Sequence, residues 1–286
     1  MALPAPAALA DLLGGDLIGP SAEGPLRSVR IDSRRVDPGD VFFALSGARR
    51  DGHAYGGAAQ VVGTGLVVVC RGWPGLSAAA TQGPVLAVDD PLVALQTLAA
   101  WYRRTHIGRV VAITGSNGKT VVKNALTALL ASRWRVAASP GSWNSQVGVP
   151  LAVLAAPPGT EIGVFEAGVS APGEMERLAA ILQPDYGVLV NIGLAHIAGF
   201  GSRETTAREK LGLFRSLPEQ GWVILPDDPL VEAVPLACQR LRAGEADPRE
   251  LERRPCAVGT VLSLDFQGRI ETLTVRTRSA PLLDDL

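Results

Sequence analysis

The chain has 286 residues, 47% of them hydrophobic and 19% charged, with 27 basic side chains against 28 acidic ones. At about 150 residues per domain this length suggests roughly two domains, and the apolar share excludes a disordered acidic chain. A net charge of −1 supplies no field for nucleic acid or an anionic membrane.

Cys70, Cys238 and Cys256 form no CxxC pair. That argues against a disulfide scaffold and for a reducing, cytoplasmic setting. The first ten residues carry two prolines and no basic segment, so no signal peptide is expected. The longest uncharged run, Val136 to Thr160, contains Pro140, Gly141, Asn144, Gln146 and Pro150. No membrane-spanning helix would hold these residues; the run suits a buried crossing over a sheet edge or a ligand-lined loop. Cations are almost all arginine: 24 Arg against Lys119, Lys123 and Lys210. Where lysine is kept, a chemical reason is expected.

In chain order, Val41–Leu45 and Leu66–Cys70 read as buried strands, and Ala58–Val62 and Pro91–Arg104 as helices. Thr105–Gly108 reads as a linker, placing a domain boundary between residues 105 and 106. From there strands at 109–113, 134–138, 162–166, 186–191 and 222–225 alternate with helices at 121–132, around 147–154, 173–182 and 203–216. This is an α/β pattern with a mostly parallel sheet covered on both faces. The segments Thr260–Phe266 and Ile270–Val275, joined by Gln267-Gly268, read as a hairpin. A sheet domain that stops soon afterwards is expected to be truncated.

Between the strand ending at Ile113 and the helix starting at Val121 lies Thr114-Gly115-Ser116-Asn117-Gly118-Lys119-Thr120. The glycines let backbone N–H groups turn toward phosphates, and the helix start favours negative charge. Lys119 would reach the β/γ-phosphates of a nucleotide and the Thr120 hydroxyl would ligate Mg²⁺. The spacing is a short G-x-x-G-K-T, two residues shorter between its glycines than the usual G-x-x-x-x-G-K-[ST] phosphate loop; the plain alternative is a glycine-rich turn before a lysine. Glu166 closes a strand, where open α/β sheets bind ligands, and could hold Mg²⁺ or be merely solvated. His196 is a polar residue after a strand and could equally be a structural cap. Lys210 could sit on a solvated helix face beside Arg208 and Glu209, but lysine scarcity weakens that reading.

Val111–Thr120 resembles the ATP loop of the Mur ligases, the ATP-dependent amide-forming enzymes that build the peptide stem of peptidoglycan. Ser142–Pro150 and Gly193–Ser202 resemble segments of the member that adds D-alanyl-D-alanine, and Phe165–Met175 a version fused ahead of an alanine racemase. Asp32–Gly47, with Asp51-Gly52-His53, resembles the family's UDP-binding domain. The resemblance covers roughly residues 25 to 230. It implies a small N-terminal α/β UDP-binding domain (1–105) and a central P-loop-type ATPase domain (106–286), incomplete at its C-terminal end. It also implies the cofactors ATP and Mg²⁺. Gly115, Ser116, Asn117, Gly118, Lys119, Thr120 and Asn144 would then line the nucleotide, and Thr120, Glu166 and His196 would hold Mg²⁺. Lys210, fourteen residues after His196, would carry a carbamate that helps hold a second Mg²⁺. Arginine cannot lose a proton for that chemistry. Lys119, His196 and Lys210 would be catalytic, and Ser33, Arg34 and Ser145 would contact the substrate.

The implied reaction joins UDP-MurNAc-tripeptide to D-Ala-D-Ala through an acyl phosphate, with no nucleic acid and no membrane insertion. The family's third domain, which closes over ATP and binds the incoming amine, is not matched here. A separate or fused C-terminal ligase domain or alanine racemase is the implied partner. Three rivals stand beside this reading. One is another amide ligase of the Mur or folylpolyglutamate synthase type. Another is a non-catalytic binding fragment, and the third is a P-loop NTPase switch.

Overall fold

The computed structural model describes residues 3–20, 24–47, 51–193, 200–242, 249–256, 259–266 and 269–275. The chain divides into two compact units, residues 1–107 with 150–158, and residues 108–149 with 159–286.

In the first unit, helix α1 (Pro6–Leu13) precedes strand β1 (Asp16–Ile18). Then come β2 (Val29–Arg30), β3 (Val41–Phe43), α2 (Gly56–Val61), β4 (Leu66–Cys70), α3 (Leu76–Gln82), β5 (Val85–Val88) and α4 (Pro91–His106). The sheet order is β1-β5-β4-β3-β2, parallel except for the β1–β5 edge pair. β3, β5 and most of β4 are buried, as continuous apolar runs of a sheet covered on both faces must be. Phe42, Val67, Val69 and Val85 pack with Ala59, Ala79 and Ala80 from the helices.

α4 begins cleanly. The Asp90 side chain accepts from Leu92 N at 2.7 Å and Val93 N at 3.2 Å, with Pro91 in the first turn. Its other end corrects the sequence reading. Thr105–Gly108 is no linker: the helix runs to His106 and the next strand starts at Ile107. His106 stacks on Tyr102 at 4.3 Å, and Thr105 Oγ1 donates to Trp101 O at 2.9 Å, so side chains hold the last turn without a glycine cap.

The second unit contains β6 (Ile107–Thr114), α5 (Lys119–Leu130), β7 (Val136–Ala138), α6 (Gly148–Ala155), β8 (Thr160–Glu166), α7 (Glu174–Leu182) and β9 (Tyr186–Leu189). It continues with α8 (Arg203–Leu211), β10 (Trp222–Leu225), α9 (Pro229–Glu232) and β11 (Gln239–Arg242). β6 starts and α6 ends within residues grouped with the first unit. The sheet order is β11-β10-β9-β6-β8-β7, and the pairs β10–β11, β9–β10, β6–β9 and β7–β8 are parallel. Val122, Leu126 and Leu130, one face of α5, cover Val111, Ile113, Val164 and Val188.

After β11 come three antiparallel strands, β12 (Arg249–Cys256), β13 (Gly259–Phe266) and β14 (Arg269–Val275). The expected hairpin is the second pair. β12 was not expected: its charged run Glu250-Leu-Glu-Arg-Arg254 has no strand-like alternation. Among the described residues no helix is long and apolar enough to cross a membrane.

Candidate functional site

β6 lies between β8 and β9, so chain direction across the sheet reverses at its C-terminal end. In open α/β sheets such a point opens a crevice for ligands, and three loops meet in this one. The loop after β6 is Gly115–Gly118, the second loop leaves β8 at Glu166, and the third leaves β9 toward Asn191–Gly193.

The first loop needs its glycines. Gly115 and Gly118 have φ of +153° and +78°, and a Cβ on either would meet Val190 at 3.0 and 3.2 Å. Asn191 clamps the loop from outside. Its Oδ1 accepts from Ser116 N at 3.1 Å and Asn117 N at 3.0 Å, and its Nδ2 donates to Asn117 O at 3.3 Å. Gly193 N donates to Ser116 Oγ at 2.8 Å. α5 starts at Lys119 after Gly118, which offers no side-chain cap, so the first N–H groups of the helix are not capped by a side chain from Gly118.

Two lysines meet at one carbonyl. Lys119 Nζ donates to Gly115 O at 2.8 Å, and Lys210 Nζ donates to the same oxygen at 3.1 Å. Lys210 is 1% exposed. It shares the inner face of α8 with Thr206, Ala207 and Leu211, so the solvated-face alternative fails. Burial, with Lys119 adding to it, pushes the Lys210 amine down to about 8. Burial also lowers Lys119, against the opposing pull of Glu166.

Glu166 is fully buried. Its Oε2 accepts from Thr120 Oγ1 at 3.2 Å, with Asn144 Nδ2 at 3.5 Å. Its Oε1 lies 3.3 Å from Lys123 Nζ yet accepts no aligned hydrogen bond. Ser142 Oγ reaches Thr120 Oγ1 at 3.3 Å. Ser145 does something local: its Oγ accepts from Gly148 N at 3.1 Å, at the start of α6. A cleft of about 340 Å³ opens here, lined among others by Lys119, Asn144, Ser145, Gly168, Glu174 and Lys210.

Gly115–Thr120, Asn144, Ser145, Glu166 and Lys210 therefore fall in one region of the central unit. His196 lies outside the described residues. Ser33 and Arg34 belong to the N-terminal unit, where Arg34 grips Asp32 with two hydrogen bonds of 2.9 and 2.7 Å. These bonds hold the Asp32 carboxyl down at about 2. Sequence reading passed over Lys123, Asn191 and Ser142 as site residues. Lysine scarcity pointed at Lys123 and a polar strand end at Asn191; nothing local marked the Ser142–Thr120 contact.

Fold and loop together define an α/β domain of the P-loop type. Residues 113–246 match the Mur ligase middle domain. The chain belongs to the Mur ligase family. It is 38% identical over 226 residues to the UDP-N-acetylmuramoyl-tripeptide–D-alanyl-D-alanine ligase of Bacillus subtilis, covering 78% of this chain and 49% of that protein. The MurF ligase of Thermotoga maritima, solved in complex with ADP, superposes with a TM-score of 0.74 at 29% identity, over 91% of this chain and 61% of that one. MurF from Acinetobacter baumannii shares the fold at a TM-score of 0.81 and 24% identity, over 100% and 63% of the two chains. The chain spans about half the length of the curated relatives it matches.

Proposed function

We propose that this chain binds ATP at the β6 crevice and serves an amide ligase that joins D-Ala-D-Ala to UDP-MurNAc-tripeptide in peptidoglycan precursor synthesis. The observation that carries the proposal is the meeting of Lys119, Lys210 and the Thr120–Glu166 pair beside an uncapped helix start. The name of the Bacillus subtilis relative supplies the substrates. In this reading residues 1–105 take the uridine end, with Ser33 and Arg34, and residues 106–286 take the nucleotide.

The substrate carboxylate attacks the γ-phosphorus of ATP, ADP leaves, and an acyl phosphate forms. The amine of the dipeptide then displaces phosphate and gives up a proton. Catalysis of this kind is mostly positioning and charge neutralisation. Lys119 and the first N–H groups of α5 hold the phosphates, and Asn191 keeps the loop in shape. Asn144 and Ser145 border the cleft where the acyl end would lie.

The residues fit Mg²⁺. A half-buried hydroxyl beside a buried carboxylate is a hard-oxygen donor set, and Glu166 Oε1 is a buried acceptor with no hydrogen bond. Thr120 and Glu166, with His196, would hold the ion, which draws charge from the transferring phosphoryl group when bound. Lys210 fits carbamylation: an amine titrating at about 8 is partly neutral near pH 7.5. Its lone pair attacks CO₂, an N–C bond forms, and one proton is released.

The test is phosphate release from ATP and Mg²⁺ with UDP-MurNAc-tripeptide, with and without D-Ala-D-Ala, beside Lys210→Arg. Dipeptide-dependent release that the variant loses supports the proposal. ATP binding without release would make the chain the binding portion of such a ligase. No ATP binding would overturn the reading.

A further inference from the structure

Two of the three lysines have a place in the proposed chemistry. Lys123 does not, yet it is 3% exposed, in the second turn of α5. A buried lysine is costly unless its ammonium is paired and its donors are used. Two of its donors are used, Nζ donating to Ser139 O and Gly141 O, both at 2.8 Å, and its charge is paired with Glu166 Oε1 at 3.3 Å without an aligned hydrogen bond.

These contacts close a small circuit. Glu166 N donates to Ser139 Oγ at 3.1 Å, so both ends of Glu166 are tied to the turn that Lys123 holds. One residue beyond Gly141, Ser142 Oγ meets Thr120 Oγ1. Removing Lys123 would free the turn, the carboxylate and the serine together. Arginine is the default cation of this chain, but its planar fork is not a compact point charge that can donate to two carbonyls and sit beside the carboxylate within this space.

We propose that Lys123 is a positioning residue: it fixes the Glu166 carboxylate and the Ser139–Ser142 turn in the orientation that takes Mg²⁺ together with the nucleotide. This rests on the nucleotide-binding reading above. Lys123 touches neither substrate nor metal. It acts through Glu166.

The experiment is calorimetric titration of the chain with ADP, with and without Mg²⁺, for wild type, Lys123→Met, Glu166→Gln and the double variant, with melting curves in metal-free buffer. Mg²⁺ tightens ADP binding to wild type. In Lys123→Met that tightening falls by about fivefold or more, while metal-free ADP affinity stays close to wild type. A merely structural lysine would not separate the two affinities. Should Lys123→Met fold poorly, the double variant decides. Removing both charges leaves no buried ion unpaired, so it melts above Lys123→Met. A folded Lys123→Met with wild-type metal enhancement overturns the inference, as does a double variant that melts no higher than Lys123→Met. Wild type that binds no ADP overturns the functional reading, and this inference with it.

Discussion

The polar residues of the two units are bonded differently. In the N-terminal unit several of them close on one another. Arg34 grips Asp32, Arg71 binds Asp16, Asp89 and Gly14 O, and buried His53 bridges Asp51 and the Cys70 N–H. In the central unit the most deeply buried polar residues keep spare capacity. Glu166 Oε1 and Thr114 Oγ1 accept no hydrogen bond, and two ammonium groups share the Gly115 carbonyl. Burying such groups half-used costs stability. The N-terminal unit strands one such atom, Gln60 Oε1, but the central crevice gathers an orphaned carboxylate oxygen with two crowded ammonium groups, and a cluster of that kind points to a functional site.

Four substitutions sharpen the contrast. The largest effect is expected from Lys119→Ala, which removes a phosphate-facing cation and should lower phosphate release on the order of 100-fold or more. Its melting temperature should hold or rise, because one of two crowded ammonium groups has gone. A fall in melting temperature equal to that of a core variant would show Lys119 to be structural and blur the contrast.

Glu166→Ala should act on stability as well as turnover. It leaves Lys123 buried without its partner and should cost about 3–5 kcal/mol in urea unfolding. His53→Ala is the counterpart in the other unit. His53 Nε2 accepts from Cys70 N at 2.9 Å, so its Nδ1 carries the proton and faces Asp51 Oδ1 at 2.6 Å. Its loss strands a buried backbone N–H and should cost about 1–3 kcal/mol, leaving ADP affinity unchanged. If His53→Ala weakened ADP binding as Glu166→Ala does, the division of labour between the units would be wrong.

What could be read from the sequence follows the same division. Apolar runs such as Leu66–Cys70 and the phosphate loop were legible because each is a local pattern: a buried strand is a block of β-branched residues, and a phosphate loop is a glycine spacing with a lysine. The two-residue β2 and the exposed edge strand β1 have no such pattern. The end of α4 was misread because Tyr102 and His106 stacking replaces the usual glycine stop. The site was half legible. Lys119 and Thr120 are set by their own loop, and Glu166 by its strand. The burial of Lys210, the Asn191 clamp and the Lys123 circuit arise where separate strands and helices meet, and no spacing along the chain encodes them.

The smallest stability effect belongs to Arg34→Ala. Arg34 and Asp32 are adjacent on a short 3₁₀ turn, and the Arg34 side chain is 81% exposed. Water screens such a pair, and holding a long side chain in place offsets most of the attraction. The melting curve should therefore be indistinguishable from wild type, although the Asp32 carboxyl, keeping its bond from the residue 34 backbone N–H but losing those of the guanidinium, would titrate nearer its ordinary value. Affinity for UDP-MurNAc-tripeptide should nevertheless fall, because an exposed guanidinium that contributes nothing to the fold remains able to turn from Asp32 toward a diphosphate. A variant that melts and binds like wild type would remove Arg34 from the substrate site.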